Sequence, residues 1–464
     1  MFRRPRGAIP SSSLDDPGRR DATAKAACAC QRKDGLIVAV TTRDPRRAID
    51  AVWRIESARL IAALVRMVRD VALAEDAAQE ALVAALEQWP ESGIPENPGA
   101  WLMATAKRRA IDHFRRDQRL ERRREQFARE SELRQEMAGS EFEVAMGDDI
   151  GDDLLRLIFI ACHPLLSTEA HVALTLRLLG GLTTEEIARA FLLPESTVAQ
   201  RIVRAKRTLS RARVPFELPR RAEFASRLRS VLQVIYLIFN EGYTATTGED
   251  WMRPGLCEEA LRLGRILAEL VPEEPEAHGL VALMEIQASR LRARTSPTGE
   301  PVLLLDQNRG LWDQLLIHRG LVALERARAM GQVPGANVLQ AEIAACHARA
   351  QTAAETDWAR IHALYDALIE VMPSPVVKLN RAVAVAMATG PAAGLESIDA
   401  LVGDPSLRKY HLLPAVRGDL LSKLGRLEEA RAEFERAASL TRNARERELL
   451  LNRAGRQAGR AKPI

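Results

Sequence analysis

The stretch Leu182-Thr183-Thr184-Glu185-Glu186-Ile187-Ala188-Arg189-Ala190-Phe191-Leu192-Leu193-Pro194-Glu195-Ser196-Thr197-Val198-Ala199-Gln200-Arg201-Ile202-Val203-Arg204-Ala205-Lys206 decides how the chain is read. A Thr cap precedes paired Glu residues and opens a short helix. Phe191-Leu192-Leu193 makes a tight apolar turn, and Pro194 leads into a second helix with a polar and basic face. That order is the layout of a helix-turn-helix. Ile187, Ala188, Val198 and Ile202 are placed to pin the two helices together. Ser196, Thr197, Gln200, Arg201 and Arg204 then remain on the outer face, where a recognition helix reads base edges and phosphates. The competing reading is a purely structural three-helix corner, so the flanking charge has to decide.

Working outward, residues 195–221 hold eight basic and two acidic side chains, and residues 101–124 hold nine and three. Between them, residues 125–153 hold two basic and ten acidic groups, with Gly139, Gly147 and Gly151 near the end. This acidic stretch reads as a linker, either a solvated segment or a cover for the basic helices when nucleic acid is absent. The net charge of +5 over 464 residues therefore conceals a pattern. Residues 1–221 carry 37 basic and 32 acidic groups, and residues 222–464 carry 30 of each.

From Pro45 to Arg124 the periodicity is helical. Ile49, Val52, Trp53, Leu60, Leu64 and Val68 recur at three- and four-residue steps along one helix. A second helix is predicted from Leu73 to Trp89, with Ala77, Ala81, Leu82 and Leu86 inward and Glu75, Asp76, Gln79, Glu80 and Glu87 outward. Pro90, Gly93, Pro95 and Pro98 are expected to break the chain. A third helix starts near Gly99 and carries Trp101, Leu102 and Ala106 into the basic run Lys107-Arg108-Arg109 and Arg115-Arg116. Residues 1–43 lack periodicity and read as a disordered tail, with the ordered protein beginning near Thr41.

Several function classes fall away. No run of 18 apolar residues suits a membrane span, and Met-Phe-Arg-Arg-Pro-Arg is not followed by the apolar core of a secretory signal. Cys28, Cys30, Cys162, Cys257 and Cys346 are too few for a disulfide framework, which points to a reducing cytoplasm. Cys28-Ala-Cys30 has no second Cys/His pair at finger-like spacing, so no metal is expected. His278, His318, His347, His362 and His411 are scattered, and the chain has no HExxH pair, nucleophile elbow or phosphate loop. Neither catalysis nor a cofactor is indicated.

After Pro219 repeats take over. Gly418, Leu421, Ala430, Phe434 and Ala437 fall at the offsets of a tetratricopeptide repeat, with Leu424-Gly425 as its turn. Tyr365, Leu368 and Pro373 fit a second unit, and Ala260, Leu267 and Pro272 a third. Such helix pairs stack into an α-solenoid with a concave face suited to a protein partner. Tyr236 to Tyr243 and Leu304 to Arg309 do not fit the repeat. Their polar groups Glu241, Tyr243, Asp306, Gln307 and Arg309 suit a buried network, which outweighs a ligand pocket.

Ala74-Glu75-Asp76-Ala77-Ala78-Gln79-Glu80-Ala81, followed by Trp101-Leu102-Met103-Ala104-Thr105-Ala106-Lys107-Arg108-Arg109-Ala110-Ile111-Asp112-His113-Phe114-Arg115-Arg116, resembles region 2 of the sigma-70 family. The helix-turn-helix resembles its region 4. The two together, without an intervening third domain, resemble the extracytoplasmic-function (ECF) group, over about residues 45–215. The remainder resembles the subgroup with a C-terminal tetratricopeptide-like extension. The resemblance implies an all-α protein: region 2 over residues 44–124, the linker over 125–153, region 4 over 154–215 and a regulatory α-solenoid over 220–460. It implies as partners core RNA polymerase, through the β′ clamp helices and the β flap, and promoter DNA. Asp76, Gln79 and Glu80 match the face that docks on the β′ clamp helices. Lys107, Arg108, Arg109, Arg115 and Arg116 match the element that reads and melts the minus-10 region, with Asp112 orienting neighbouring arginines and Trp101 structural. Many members have Asn where Arg108 stands and Lys where Ala199 stands, which puts the promoter sequence out of reach. The rival reading is a helix-turn-helix regulator that does not act through core polymerase; a third is a repeat scaffold that binds nucleic acid nonspecifically.

Overall fold

The computed structural model describes residues 45–128, 149–245, 247–248, 252–297 and 299–461; the side chains of 45, 47, 114–128, 149–150, 247–248 and 458–461 fall outside that description. The predicted tail, Cys28 and Cys30, and linker residues 129–148 lie outside the described residues.

The apolar spacing read from the sequence does produce helices. α1 (Pro45–Val68) buries Ile49, Trp53, Leu60 and Leu64, and Val52 and Val68 pack at its flank. α2 (Val71–Ser92) starts where Asp70 Oδ1 accepts the Leu73 N–H at 2.9 Å. Pro90 does not break α2. It sits in the last turn, where its ring forgoes one i→i−4 bond but only two residues follow before the chain turns at Gly93 with φ +82°. α3 (Pro98–Ala128) is capped by Asn97, which accepts the Ala100 N–H at 3.0 Å, and runs past Arg124. α4 (Asp149–Ala161) begins within the segment read as linker. α5 (Thr168–Leu178), α6 (Thr184–Phe191) and α7 (Glu195–Arg211) complete the first half.

The second half is α8 (Arg221–Tyr243), α9 (Pro254–Leu270), α10 (Pro275–Ala288), α11 (Gln314–Ala329), α12 (Ala336–Arg349), α13 (Trp358–Val371), α14 (Pro375–Thr389), α15 (Pro391–Asp399), α16 (Leu412–Lys423), α17 (Leu427–Leu440) and α18 (Ala444–Ala461). Consecutive helices pack as hairpins. Gly418 on α16 lies where a Cβ would stand 3.0 Å from the buried Phe434 ring of α17, so the close crossing requires glycine. α8 ends at Tyr243, where the Thr244 N–H bonds to Asn240 O. A Cβ on Gly242 would lie 2.7 Å from Cys257 N, so glycine lets α9 approach. Two-residue strands, β1 (Thr247–Gly248) and β2 (Arg442–Asn443), pair in parallel and join the end of α8 to the start of α18.

One hydrophobic core runs through α1–α10. It includes Leu64, Ala81, Leu102, Phe159, Leu174, Ile202, Ile235 and Leu280. The two basic elements and the first helices of the second half therefore share a continuous interior.

Candidate nucleic-acid interface

The helix-turn-helix is built as its residues dictate. Thr183 Oγ1 accepts the Glu186 N–H at 3.1 Å, and Glu186 Oε2 accepts the Thr183 N–H at 2.8 Å, a reciprocal capping box. Leu192 takes the left-handed conformation at φ +51°, and the Leu193 N–H returns to Ala188 O at 2.9 Å, closing the turn. Ile187, Ala188, Val198 and Ile202 are buried between the helices. Ser196, Gln200 and Arg204 form an exposed stripe at four-residue spacing, flanked by half-buried Thr197 and Arg201. Among the described residues neither Arg201 nor Arg204 makes an ion pair, so this stripe offers cations and an amide to an anionic partner.

α3 presents a second basic surface. Arg108 and Arg109 are exposed and Lys107 is half-buried, whereas the side chains of Arg115 and Arg116 lie outside the described residues. Asp112 is exposed, with no ion pair to an arginine among the described residues. Glu80 on α2 takes that role: it accepts from His113 at 2.7 Å and lies 3.7 Å from Arg109 Nε. These groups border an open groove of about 410 Å³ between α2 and α3. Trp101 packs edge-on against buried Trp89 at 5.2 Å between ring centres.

The acidic face of α2 differs from the sequence reading in one position. Asp76 is exposed, with 63% of its side chain accessible, and Gln79 and Glu80 are half-buried. Glu75, expected to face outward, is buried with only 3% of its side chain accessible. Its Oε1 accepts from Arg177 Nε of α5 at 2.6 Å. Lys206 Nζ of α7 stands 2.8 Å from Oε2, a close ionic contact rather than an aligned hydrogen bond, and also 3.5 Å from Asp76. Burial drives the Glu75 carboxyl upward, but Lys206 and Arg177 outweigh it and hold its pKa below the usual carboxylate value. Ser210 donates to Asp70 at 2.8 Å, and Arg54 meets Glu186 at 2.9 Å. α7 is thus fastened to α2 beside the recognition stripe. The Glu75 contacts span more than 100 residues, so spacing along α2 gave no sign of them; the lone cation Arg177 in the apolar run of α5 was the available signal.

The second half grips the same unit. Arg227 of α8 donates to Phe159 O at 2.8 Å, and Arg262 of α9 donates to Leu179 O while pairing with Glu259. Burial pushes the Cys162 and Cys257 thiols up to about 12, so both stay protonated, and Cys346 is also buried and free. No helix among the described residues is long and apolar enough to cross a membrane, and no group of His, Cys, Asp and Glu there could hold a metal ion.

Residues 54–120 match sigma-70 region 2, and residues 156–209 match sigma-70 region 4. Residues 227–328 match a family of unknown function (DUF6596). An uncharacterized protein of Rhizobium meliloti (strain 1021) is 44% identical over 387 residues, covering 83% of this chain and 90% of its own length. With both sigma regions in order, one supplying the acidic α2 and basic α3 and the other the helix-turn-helix, the chain belongs to the sigma-70 family and has a sigma factor's role in transcription initiation.

Proposed function

We propose that this is an ECF-type sigma factor of the cytoplasm that binds the β′ clamp helices of core RNA polymerase through Asp76, Gln79 and Glu80, and also engages the β flap. In this reading α3 engages the minus-10 element through Lys107, Arg108, Arg109, Arg115 and Arg116. The α7 stripe of Ser196, Thr197, Gln200, Arg201 and Arg204 engages the minus-35 element. The role is one of binding and melting rather than catalysis. The helices after residue 220 form a tetratricopeptide-like regulatory domain, a reading supported by the close Gly418–Phe434 crossing.

The observation that carries the regulatory part is the Glu75–Lys206 contact. Promoter elements named for positions 10 and 35 lie about 25 base pairs apart, roughly 85 Å along B-form DNA at about 3.4 Å per pair. α2 is 22 residues, roughly 33 Å at about 1.5 Å per residue, and both α3 and α7 pack on it. The two DNA-binding helices cannot span the promoter while both stay on α2. In this reading the described arrangement is a closed state, with Lys206 occupying part of the surface assigned to polymerase. α8 and α9 stabilise it by sharing the core of regions 2 and 4.

The test is association with purified core polymerase. The double variant Asp76→Ala, Glu80→Ala should lose polymerase binding while keeping affinity for nonspecific duplex DNA. If that variant binds polymerase as well as the unaltered chain, the assignment of this face fails, and the helix-turn-helix regulator becomes the better account.

A further inference from the structure

Buried charges in the C-terminal helices are matched by opposite charges. Glu285 meets Arg265 at 2.8 Å, and Glu342 meets Arg328 and Arg360 at 3.2 Å each. Arg290, at the end of α10, departs from that pattern. It is only 9% exposed, and its Nε–H is sealed from solvent with no hydrogen-bond acceptor. Among the described residues no carboxylate pairs with its guanidinium. Its guanidinium carbon instead lies 5.8 Å from the ring centres of both Tyr243 and Trp312. Stacking on ring faces accommodates the cation but gives its in-plane Nε–H no acceptor among the described residues.

The groups around it are unsatisfied in the same sense. Trp312 is 4% exposed, and among the described residues its Nε1–H has no acceptor. His347 is 7% exposed, and its Nδ1 has no partner. Arg309 stacks on the same indole at 4.8 Å while donating to the carbonyls of His347 and Ala350. Burial, then Arg290 and Arg309, push the His347 pKa down to about 4, so near pH 7 the ring is neutral and Nδ1 can donate or accept. A buried cation beside an idle N–H donor is costly unless an acceptor of negative charge completes it.

We propose that Arg290, Trp312 and His347 form a binding site for a small oxyanion, the phosphate or carboxylate group of a small molecule. Arg290 supplies the charge and a planar donor edge, which fits two oxygens of one anion. Trp312 Nε1–H is the second donor, and Tyr243 and Arg309 hold the two in place. Arg290, Arg309 and Trp312 lie within the 227–328 match, which gives that segment a chemistry. The proposal stands independently of the promoter role.

The test is titration of the full chain with inorganic phosphate and, separately, with acetate. Ionic strength is held constant with sodium chloride, and the melting temperature and tryptophan fluorescence are followed. One of the two anions should give a saturable response, and which one saturates at lower concentration identifies the group. Arg290→Met should weaken the apparent affinity at least tenfold, and Trp312→Phe, which removes only the indole N–H, should weaken it several-fold. Should Arg290→Met fail to fold, Trp312→Phe decides alone. No saturable response to either anion, or unchanged affinity in the variant that folds, would overturn the proposal.

Discussion

Glu75 lies between Ala74 and Asp76 on α2, yet its side chain is nearly sealed while that of Asp76 stands in solvent. Removing its charge leaves Arg177 without its carboxylate and Lys206 with only the more distant, exposed Asp76, the usual reason that breaking a buried pair is expensive. Glu75→Gln should destabilise the chain by about 3 kcal/mol, the low end for such a break because both cations retain some access to water; urea unfolding measures it. The pH dependence follows from the direction of the shift. The folded pKa lies below the usual 4.5, so this stabilisation is fully present above about 4.5 and fades as pH falls through the lower folded value. The difference in stability between the unaltered chain and Glu75→Gln should therefore shrink below pH 4.5. A difference that grows on acidification would contradict the assigned pairing. The carboxylates of α2 were legible as a group, but which one turns inward was not. Its partners come from α5 and α7, and a single residue step, about 100° around the helix, separates an exposed residue from a buried one.

Among the elements, α6 and α7 were the most legible, because the capping box, the apolar turn and the polar stripe are local features of the sequence. Thr183→Ala should cost about 1 kcal/mol through loss of the cap, visible as an earlier unfolding midpoint. On α7, Arg204→Ala should weaken binding to all duplexes alike and reduce the slope of log affinity against log salt by about 1, as expected for one phosphate contact. Gln200→Ala should instead reduce discrimination among promoter sequences, by about 1–3 kcal/mol at one base pair. Equal salt slopes for Arg204→Ala and the unaltered chain would remove Arg204 from the interface. α2 and α3 were legible as helices but less so at their ends. Pro90 lies close enough to the end of α2 that the one i→i−4 bond it forgoes is followed by only two helical residues, and α3 passes Arg124 because nothing in that run stops a helix.

For the whole molecule, the sequence showed an all-α chain with two basic elements and a neutral repeat half. It did not show that these parts share one core. That core depends on contacts such as Arg227 to Phe159 and Arg262 to Leu179, between residues more than 60 positions apart, which no local period encodes. One consequence is that deleting residues 220–464 removes Leu228, Val231, Leu232 and Ile235 from the interior around Phe159, so truncation should unfold or aggregate the remainder rather than simply free it. Point changes at the contact between α2 and α7 are the cleaner probe. With fluorophores on α2 and α7, Glu75→Gln should shift energy transfer toward greater separation, and binding of core polymerase should do the same in the unaltered chain. The most direct measurement is promoter-specific run-off transcription from purified core polymerase with the full chain and with Glu75→Gln. The account predicts a discrete transcript that needs the chain, is lost with Asp76→Ala, Glu80→Ala, and becomes more abundant with Glu75→Gln at a temperature where that variant stays folded. No discrete transcript with either the full chain or Glu75→Gln, under conditions where both bind core polymerase, would contradict it.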